Sequence, residues 1–255
     1  MEVKIISECN AKGENPEYLF WVGSAGSFDV RSKKITRAFV SILNKANIDF
    51  AVLGKEESSS GDVAKRAGNE FLFQMQALMN IEILNNYNVK KIITTCPHSY
   101  NVLKNEYKTL GGDYDVYHHT EFLLEIINSG KLKLMKDISN KKVTYHDPCY
   151  LGRGNSIYDE PRKLIRLLGV DLVEMKRSKR KSFCCGAGGA QMFKEPEKGS
   201  KDINIERTEE AISCNIDTIV TACPFCNTMM SDGVKLLKDG EIDVLDIVEL
   251  INESI

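Results

Sequence analysis

The chain has 255 residues, room for one large domain or two small ones, and a hydrophobic share of 42% that can fill a buried core, so disorder is not the expectation. A net charge of −2 gives no bulk attraction to nucleic acid or anionic lipid, and no apolar run approaches the ~18 residues of a membrane span. The first ten residues lack the apolar core and cleavage pattern of a signal peptide, so a cytoplasmic location is expected, where eight cysteines read as metal or redox chemistry and not as a disulfide framework.

Residues 1–17 are polar and mixed and read as a short extension on the body, with Cys9 an incidental thiol. Tyr18–Gly23 is a buried-strand pattern, apolar and ended by glycine. Ile35, Ala38, Phe39, Ile42 and Leu43 recur at helical spacing and predict a helix over Lys33–Asn47, before a second strand at Phe50–Leu53. Asp62 reads as the N-cap of one long helix with Phe71, Met75, Leu78 and Ile81 on its apolar face. A third strand, Lys91–Thr95, ends at Cys96-Pro97-His98-Ser99; a strand at Asp115–His118 and a helix from Glu121 to a Gly130 cap follow.

The second half repeats this order. Strands are predicted at Lys142–His146, Leu172–Met175, Asp217–Ala222 and Val244–Leu245. Helices are predicted at Pro161–Leu168 with a Gly169 cap, at Ile205–Cys214, after Cys226 and from Asp246. Ser24 aligns with Cys149 and Ser59 with Cys184, both 125 residues apart; Cys96 aligns with Cys223 and Ser99 with Cys226, both 127 apart. Ile92-Ile-Thr-Thr-Cys-Pro-His-Ser matches Ile219-Val-Thr-Ala-Cys-Pro-Phe-Cys. The expectation is an α/β chain of two duplicated halves, 1–138 and 139–255, each with a parallel sheet and with its ligand site at the carboxyl ends of the strands.

Chemistry concentrates in the second half. Cys149, the vicinal pair Cys184-Cys185 and the Cys223-Pro-Phe-Cys226 motif supply five thiols from three loops. Adjacent cysteines suit a disulfide poorly, since their α-carbons are held about 3.8 Å apart. The glycines at 186, 188 and 189 let the backbone pass close to a bulky group. Pro224 favours a helix start, which would place Cys223 and Cys226 where the helix dipole promotes the thiolate. Three readings stand side by side: an iron–sulfur cluster held by the thiolates, a structural zinc that needs only four of them, and a dithiol couple in the Cys-x-x-Cys motif. The first half has Ser24, Ser59, Ser60 and Ser99 at these places and keeps only Cys96; serine is a poor soft-metal ligand, so one metal centre and one vacated site are expected.

The Cys…Cys-Cys-Gly…Cys-Pro-x-Cys pattern resembles the cysteine-rich CCG domain of the B and D subunits of heterodisulfide reductase and of related iron–sulfur oxidoreductases. His146-Asp-Pro-Cys-Tyr-Leu-Gly and Cys184-Cys-Gly-Ala-Gly-Gly carry the resemblance, which runs from Trp21 to Leu250. It implies that Cys149, Cys184, Cys185, Cys223 and Cys226 bind one [4Fe-4S]-type cluster, which in such domains can be non-cubane. It implies an electron-transfer subunit that relays electrons to or from a disulfide or a quinone-linked acceptor. The partner would be a ferredoxin-like iron–sulfur protein, a flavoprotein or a membrane quinone-reactive subunit, through which the chain would be peripheral to the membrane. No side chain is assigned a catalytic role. The serines of the first half depart from the two-cluster pattern and argue against disulfide cleavage between paired clusters. The competing reading is a zinc-stapled, non-catalytic assembly module.

Smaller signals remain. Lys176–Lys181 holds five cations in six residues and reads as a solvated loop or a docking surface for an acidic redox partner. His146 and Asp147 either orient the cluster loop or shape a turn; His118 and His119 read as structural, Met229 and Met230 as core, and Cys214 as a buried thiol.

Overall fold

The structure, a computed structural model, describes residues 2–195 and 198–255. The chain separates into two compact units, one up to Leu132 and one from Lys133.

The first unit runs β1 (Lys4–Ile5), α1 (Ile6–Ala11), β2 (Tyr18–Trp21), α2 (Gly23–Phe28), α3 (Ser32–Lys45), β3 (Phe50–Val52), α4 (Asp62–Arg66), α5 (Glu70–Asn86), β4 (Lys91–Thr94), α6 (Pro97–Asn101), β5 (Asp115–His118) and α7 (His119–Asn128). Its strands form a parallel sheet in the order β1-β3-β2-β4-β5. Leu19, Phe20, Trp21, Ile92 and Ile93 are buried although neighbours along a strand face opposite ways, because helices cover both faces of the sheet.

The second unit runs β6 (Lys142–Tyr145), α8 (Cys149–Asn155), α9 (Asp159–Leu167), β7 (Asp171–Leu172), α10 (Ile203–Ile212), β8 (Thr218–Thr221), α11 (Pro224–Lys238), β9 (Asp243–Asp246) and α12 (Ile247–Ser254). Its sheet is also parallel, in the order β7-β6-β8-β9.

The duplication holds at the level of register. Leu19 opposes Ile92 and Phe20 opposes Ile93 in the first sheet, while Thr144 opposes Ile219 and Tyr145 opposes Val220 in the second. These are the same pairs once the sequence offsets are applied. The buried positions of the preceding helices coincide as well: Asn80, Ile81 and Leu84 on α5, and Arg207, Thr208 and Ala211 on α10. Each last helix starts with a capping box, His118 with Glu121 and Asp246 with Glu249. Both Cys-Pro dipeptides put proline in the first turn of a helix.

Two expectations need correction. The long helix after Asp62 is two helices. Gly68, at φ +86°, ends α4, and Asn69 caps α5 by accepting from the Leu72 N–H at 3.0 Å. The face of α5 that packs inward is Phe73, Ala77, Asn80, Ile81 and Leu84; Phe71, Met75 and Leu78 are exposed. The helix is apolar on both sides, so periodicity alone selected the wrong one. The leading segment packs on the body as an added edge strand, β1 beside β3, and Cys9 is buried. No helix among the described residues is long and apolar enough to cross a membrane.

Candidate metal centre

Every cysteine of the pattern lies in a segment that follows the carboxyl end of a strand in the second unit. Cys149 opens α8 after β6, Cys184 and Cys185 lie in the loop beyond β7, Cys223 is the N-cap of α11 after β8, and Cys226 is in its first turn. The parallel sheet brings these strand ends side by side, so cysteines separated by 34 and 37 intervening residues meet. The sulfurs of Cys185 and Cys226 are 3.3 Å apart. Cys149 bonds to Cys184, Cys184 to Cys185, and Cys226 to Cys223, so all five thiols form one contiguous group. Cys185, Cys223 and Cys226 are buried; Cys149 and Cys184 are half-buried and form its accessible edge. Ala187 packs against the buried sulfurs, with Met192, Phe225 and Met229 around them. Met229, read from sequence as core, therefore flanks the thiols, while Met230 is fully buried in the adjoining core.

The electrostatics of the bare thiols also differ from expectation. A helix start should favour the thiolate at Cys226, yet this thiol is pushed up, first by its bonds to Cys185 and Cys223 and then by burial. Cys149 and Cys185 are pushed up chiefly by their bonds to Cys184. Cys184 is pushed down, held by the Cys149 and Cys185 thiols and by the Gly186 N–H at 3.2 Å. Five sulfurs this close cannot all ionise without a compensating positive centre. The donor set, all sulfur and mostly buried, therefore fits a thiolate-bound metal group.

Asp147 holds the loops around the thiols. Its carboxylate accepts two bonds from the buried Arg162 guanidinium, at 2.7 and 2.9 Å, and one from the Lys179 N–H at 2.8 Å. Its carbonyl accepts from the Ser182 hydroxyl at 3.1 Å, and the Arg153 guanidinium donates to the Ser182 carbonyl at 2.5 Å. The segment leading to Cys184 is thus tied to the turn that carries Cys149. Of the basic run, Arg177 is turned inward, bonded to Glu206 and Glu210 and stacked 4.0 Å above the Phe183 ring, and Lys179 pairs with Asp159. Lys176, Arg180 and Lys181 are exposed.

His146 is buried beside the thiols. One of its ring nitrogens, Cys185 Sγ and Cys226 Sγ all lie within 4.8 Å of one another. Burial, and then the Arg207 charge, push the imidazole down to about 4. Arg207, fully buried, donates from Nε to His146 Nδ1 at 3.0 Å. Sequence reading passed over Arg207, Arg162 and Glu210, because each lies in a charged helix or loop where a solvated role is the ordinary expectation; no local signal distinguishes them. Cys214 is half-buried, its thiol near the Glu210 carbonyl at 3.6 Å and apart from the five.

The corresponding place in the first unit is filled with other polar groups. Ser60 and Ser99 are buried with hydroxyls 3.5 Å apart, Ser59 Oγ accepts from the Gly61 N–H, Ser24 is exposed and Cys96 is buried. His98 Nδ1 meets Asp62 Oδ2 at 2.8 Å. The Glu57 carboxylate accepts from the N–H groups of Val22 and Gly23, at 3.0 and 2.6 Å, and its burial pushes it up to about 7. Glu57 stands 125 positions before Ser182, so the same turn is clamped by a carboxylate in one half and by a hydroxyl in the other.

Residues 18–104 and 143–231 match the cysteine-rich domain, CCG. The chain belongs to this family. It is 46% identical to the probable iron-sulfur-binding oxidoreductase FadF of Bacillus subtilis, aligned over 100% of this chain and 36% of that protein. It is 47% identical to the EtfAB:quinone oxidoreductase of Syntrophomonas wolfei over 94% of this chain and 34% of that one. It is 37% identical to the D subunit of the heterodisulfide reductase of Methanosarcina barkeri, over 84% of this chain and 53% of that one. The chain thus spans between about a third and about a half of the length of these relatives.

Proposed function

We propose that the second unit holds one [4Fe-4S]-type cluster through Cys149, Cys184, Cys185, Cys223 and Cys226, and that the chain is the electron-relaying part of a heterodisulfide-reductase-like oxidoreductase. The observation that carries this reading is the convergence of five thiols from three strand ends into one group, three of them buried. A structural zinc needs four such ligands and an isolated dithiol couple needs two, so both leave sulfurs without a role. When bound, such a cluster supplies electron transfer. The chain's own residues do the rest. The five thiolates hold it, Phe225, Met192 and Met229 keep water from its buried side, and the Asp147–Arg162 pair fixes the loops that present the ligands.

The named relatives include a quinone oxidoreductase and one subunit of a heterodisulfide reductase. These names support a disulfide or a quinone-linked acceptor and a further redox subunit, flavoprotein or iron–sulfur, that exchanges electrons with this chain. In this reading the protein works in the cytoplasm and meets the membrane only through that partner. The four serines of the first unit support one cluster per chain.

The test is iron and acid-labile sulfide after anaerobic purification, with electron paramagnetic resonance spectra before and after dithionite. The expected result is about four irons with matching sulfide per chain, lost in Cys184→Ser. Stoichiometric zinc without sulfide would replace this reading with a structural module. Eight irons would refute a vacated first site.

A further inference from the structure

The half of the chain that carries the five thiols also carries a buried imidazole–guanidinium pair, and the half that lost them does not. Strand register equates His146 with Trp21, and the matching buried positions of α10 and α5 equate Arg207 with Asn80. Trp21 is fully buried, and its Nε1 has no hydrogen-bond partner among the described residues. Asn80 donates its amide to the Ser59 carbonyl and the Tyr107 hydroxyl, both at 2.9 Å. The duplicated fold therefore closes without an imidazole or a guanidinium at these two places, and the pair in the second unit needs a different explanation.

Its geometry supplies one. Arg207 is fixed from three sides: Nη1 donates to the Arg177 carbonyl and to Glu210, both at 2.9 Å, and Nε donates to His146 Nδ1 at 3.0 Å. The helix that carries it lies tightly on α11, where a Cβ added at Gly233 would come within 2.1 Å of the Thr208 hydroxyl. A guanidinium has donors and no acceptor, so Nδ1 must accept; a neutral imidazole then has its proton on Nε2. With Nδ1 engaged, Nε2–H is the group His146 can offer to the sulfurs of Cys185 and Cys226, which lie within 4.8 Å of one of its ring nitrogens.

We propose that His146 and Arg207 are a positioning pair for the cluster site: Arg207 fixes the tautomer and His146 donates its Nε2–H to the thiolate sulfurs of Cys185 and Cys226. This rests on the proposed cluster and adds to it the group that sets its potential. An N–H donated to sulfur, with a buried positive charge behind it, stabilises the more negative, reduced state. His146 is therefore not a metal ligand.

The test uses the iron-loaded full chain. Four histidines are present in the sequence, and His146 alone lies in the second unit. Protein grown with 15N-histidine, reduced and studied by pulsed electron paramagnetic resonance, is expected to show weak 15N coupling and an exchangeable proton that is lost in D2O. Coupling of the strength of a bound imidazole, or none at all, overturns the proposal. His146→Phe should lower the reduced-to-oxidised ratio at a fixed applied potential by about tenfold, a 59 mV drop for one electron. His146→Gln, which can still donate, should recover most of that ratio, and Arg207→Leu should reproduce the loss. Unchanged potentials in iron-replete His146→Phe and Arg207→Leu overturn it. If the wild-type protein binds no iron, the cluster reading fails and this one falls with it; a loaded protein without histidine coupling sinks this one alone.

Discussion

The two halves of this chain are the same fold with different polar contents at the carboxyl ends of their strands. Strand order, register, capping boxes and the Cys-Pro helix starts are shared. In one half five thiols, an imidazole and a guanidinium converge. In the other a Ser60–Ser99 contact, a His98–Asp62 pair, a clamped Glu57 carboxylate and the Asn80–Tyr107 bond occupy the corresponding region. The lesson is that the sheet does not depend on the thiols. The serine half keeps the same buried strands and the same buried helix positions as the cysteine half.

The sharpest way to break the comparison is to remove one thiol from each half. Cys185→Ser should abolish iron binding, whereas Cys96→Ser should leave iron and sulfide per chain unchanged; equal effects would erase the distinction. The next largest effect is expected at the ion pair that braces the cysteine loops. Arg162→Leu leaves the buried Asp147 carboxylate without its bidentate partner, and urea unfolding should show a loss of about 3–5 kcal/mol in the second unit. A loss below about 1 kcal/mol would mean that Lys179 and Ser182 hold the turn unaided.

The first unit has its own signature. Glu57 is held with a proton affinity above that of an ordinary carboxyl, up to about 7. Between the ordinary value and 7 the folded chain keeps a proton that the unfolded chain has lost. The resulting stabilisation is present at low pH and lost as pH rises through 7, on the order of 3 kcal/mol in total. Unfolding free energies at pH 5 and pH 7.5 should show this fall, and Glu57→Gln should flatten it; an unaltered slope in the variant would place the titration elsewhere. The smallest expected change is the most instructive. Reinstating thiols with Ser24→Cys, Ser59→Cys, Ser60→Cys and Ser99→Cys should leave the iron content where it was, because the Glu57 clamp and the His98–Asp62 pair still fill the region. A second set of four irons would show that thiols alone make the site.

Much of this was legible in the sequence. The duplication could be read from constant offsets, and the grouping of the five cysteines from the loops that carry them, because both are local patterns in one chain. What could not be read is what depends on contact across the fold. Arg162 and Arg207 sit among charged neighbours and look like surface residues until the helices close over them. Glu57 lies in a polar loop of serines and is identified only by the backbone it reaches. The helix after Asp62 misled for another reason: its outward face is as apolar as its inward one, and only the cap at Asn69 and the position of the sheet decide which side is core.

The extra strand at the start of the chain has a practical consequence. β1 lies along the outer edge of β3, whereas the counterpart of β3 in the second sheet, β7, is an edge only two residues long. A short edge offers little for another chain to pair with, but Phe50–Val52 without its cover would be an apolar, unsatisfied one. Trimming the first five residues would therefore exchange a two-residue edge for a longer apolar one, and the cost would appear first as self-association on concentration, with the thiol site untouched.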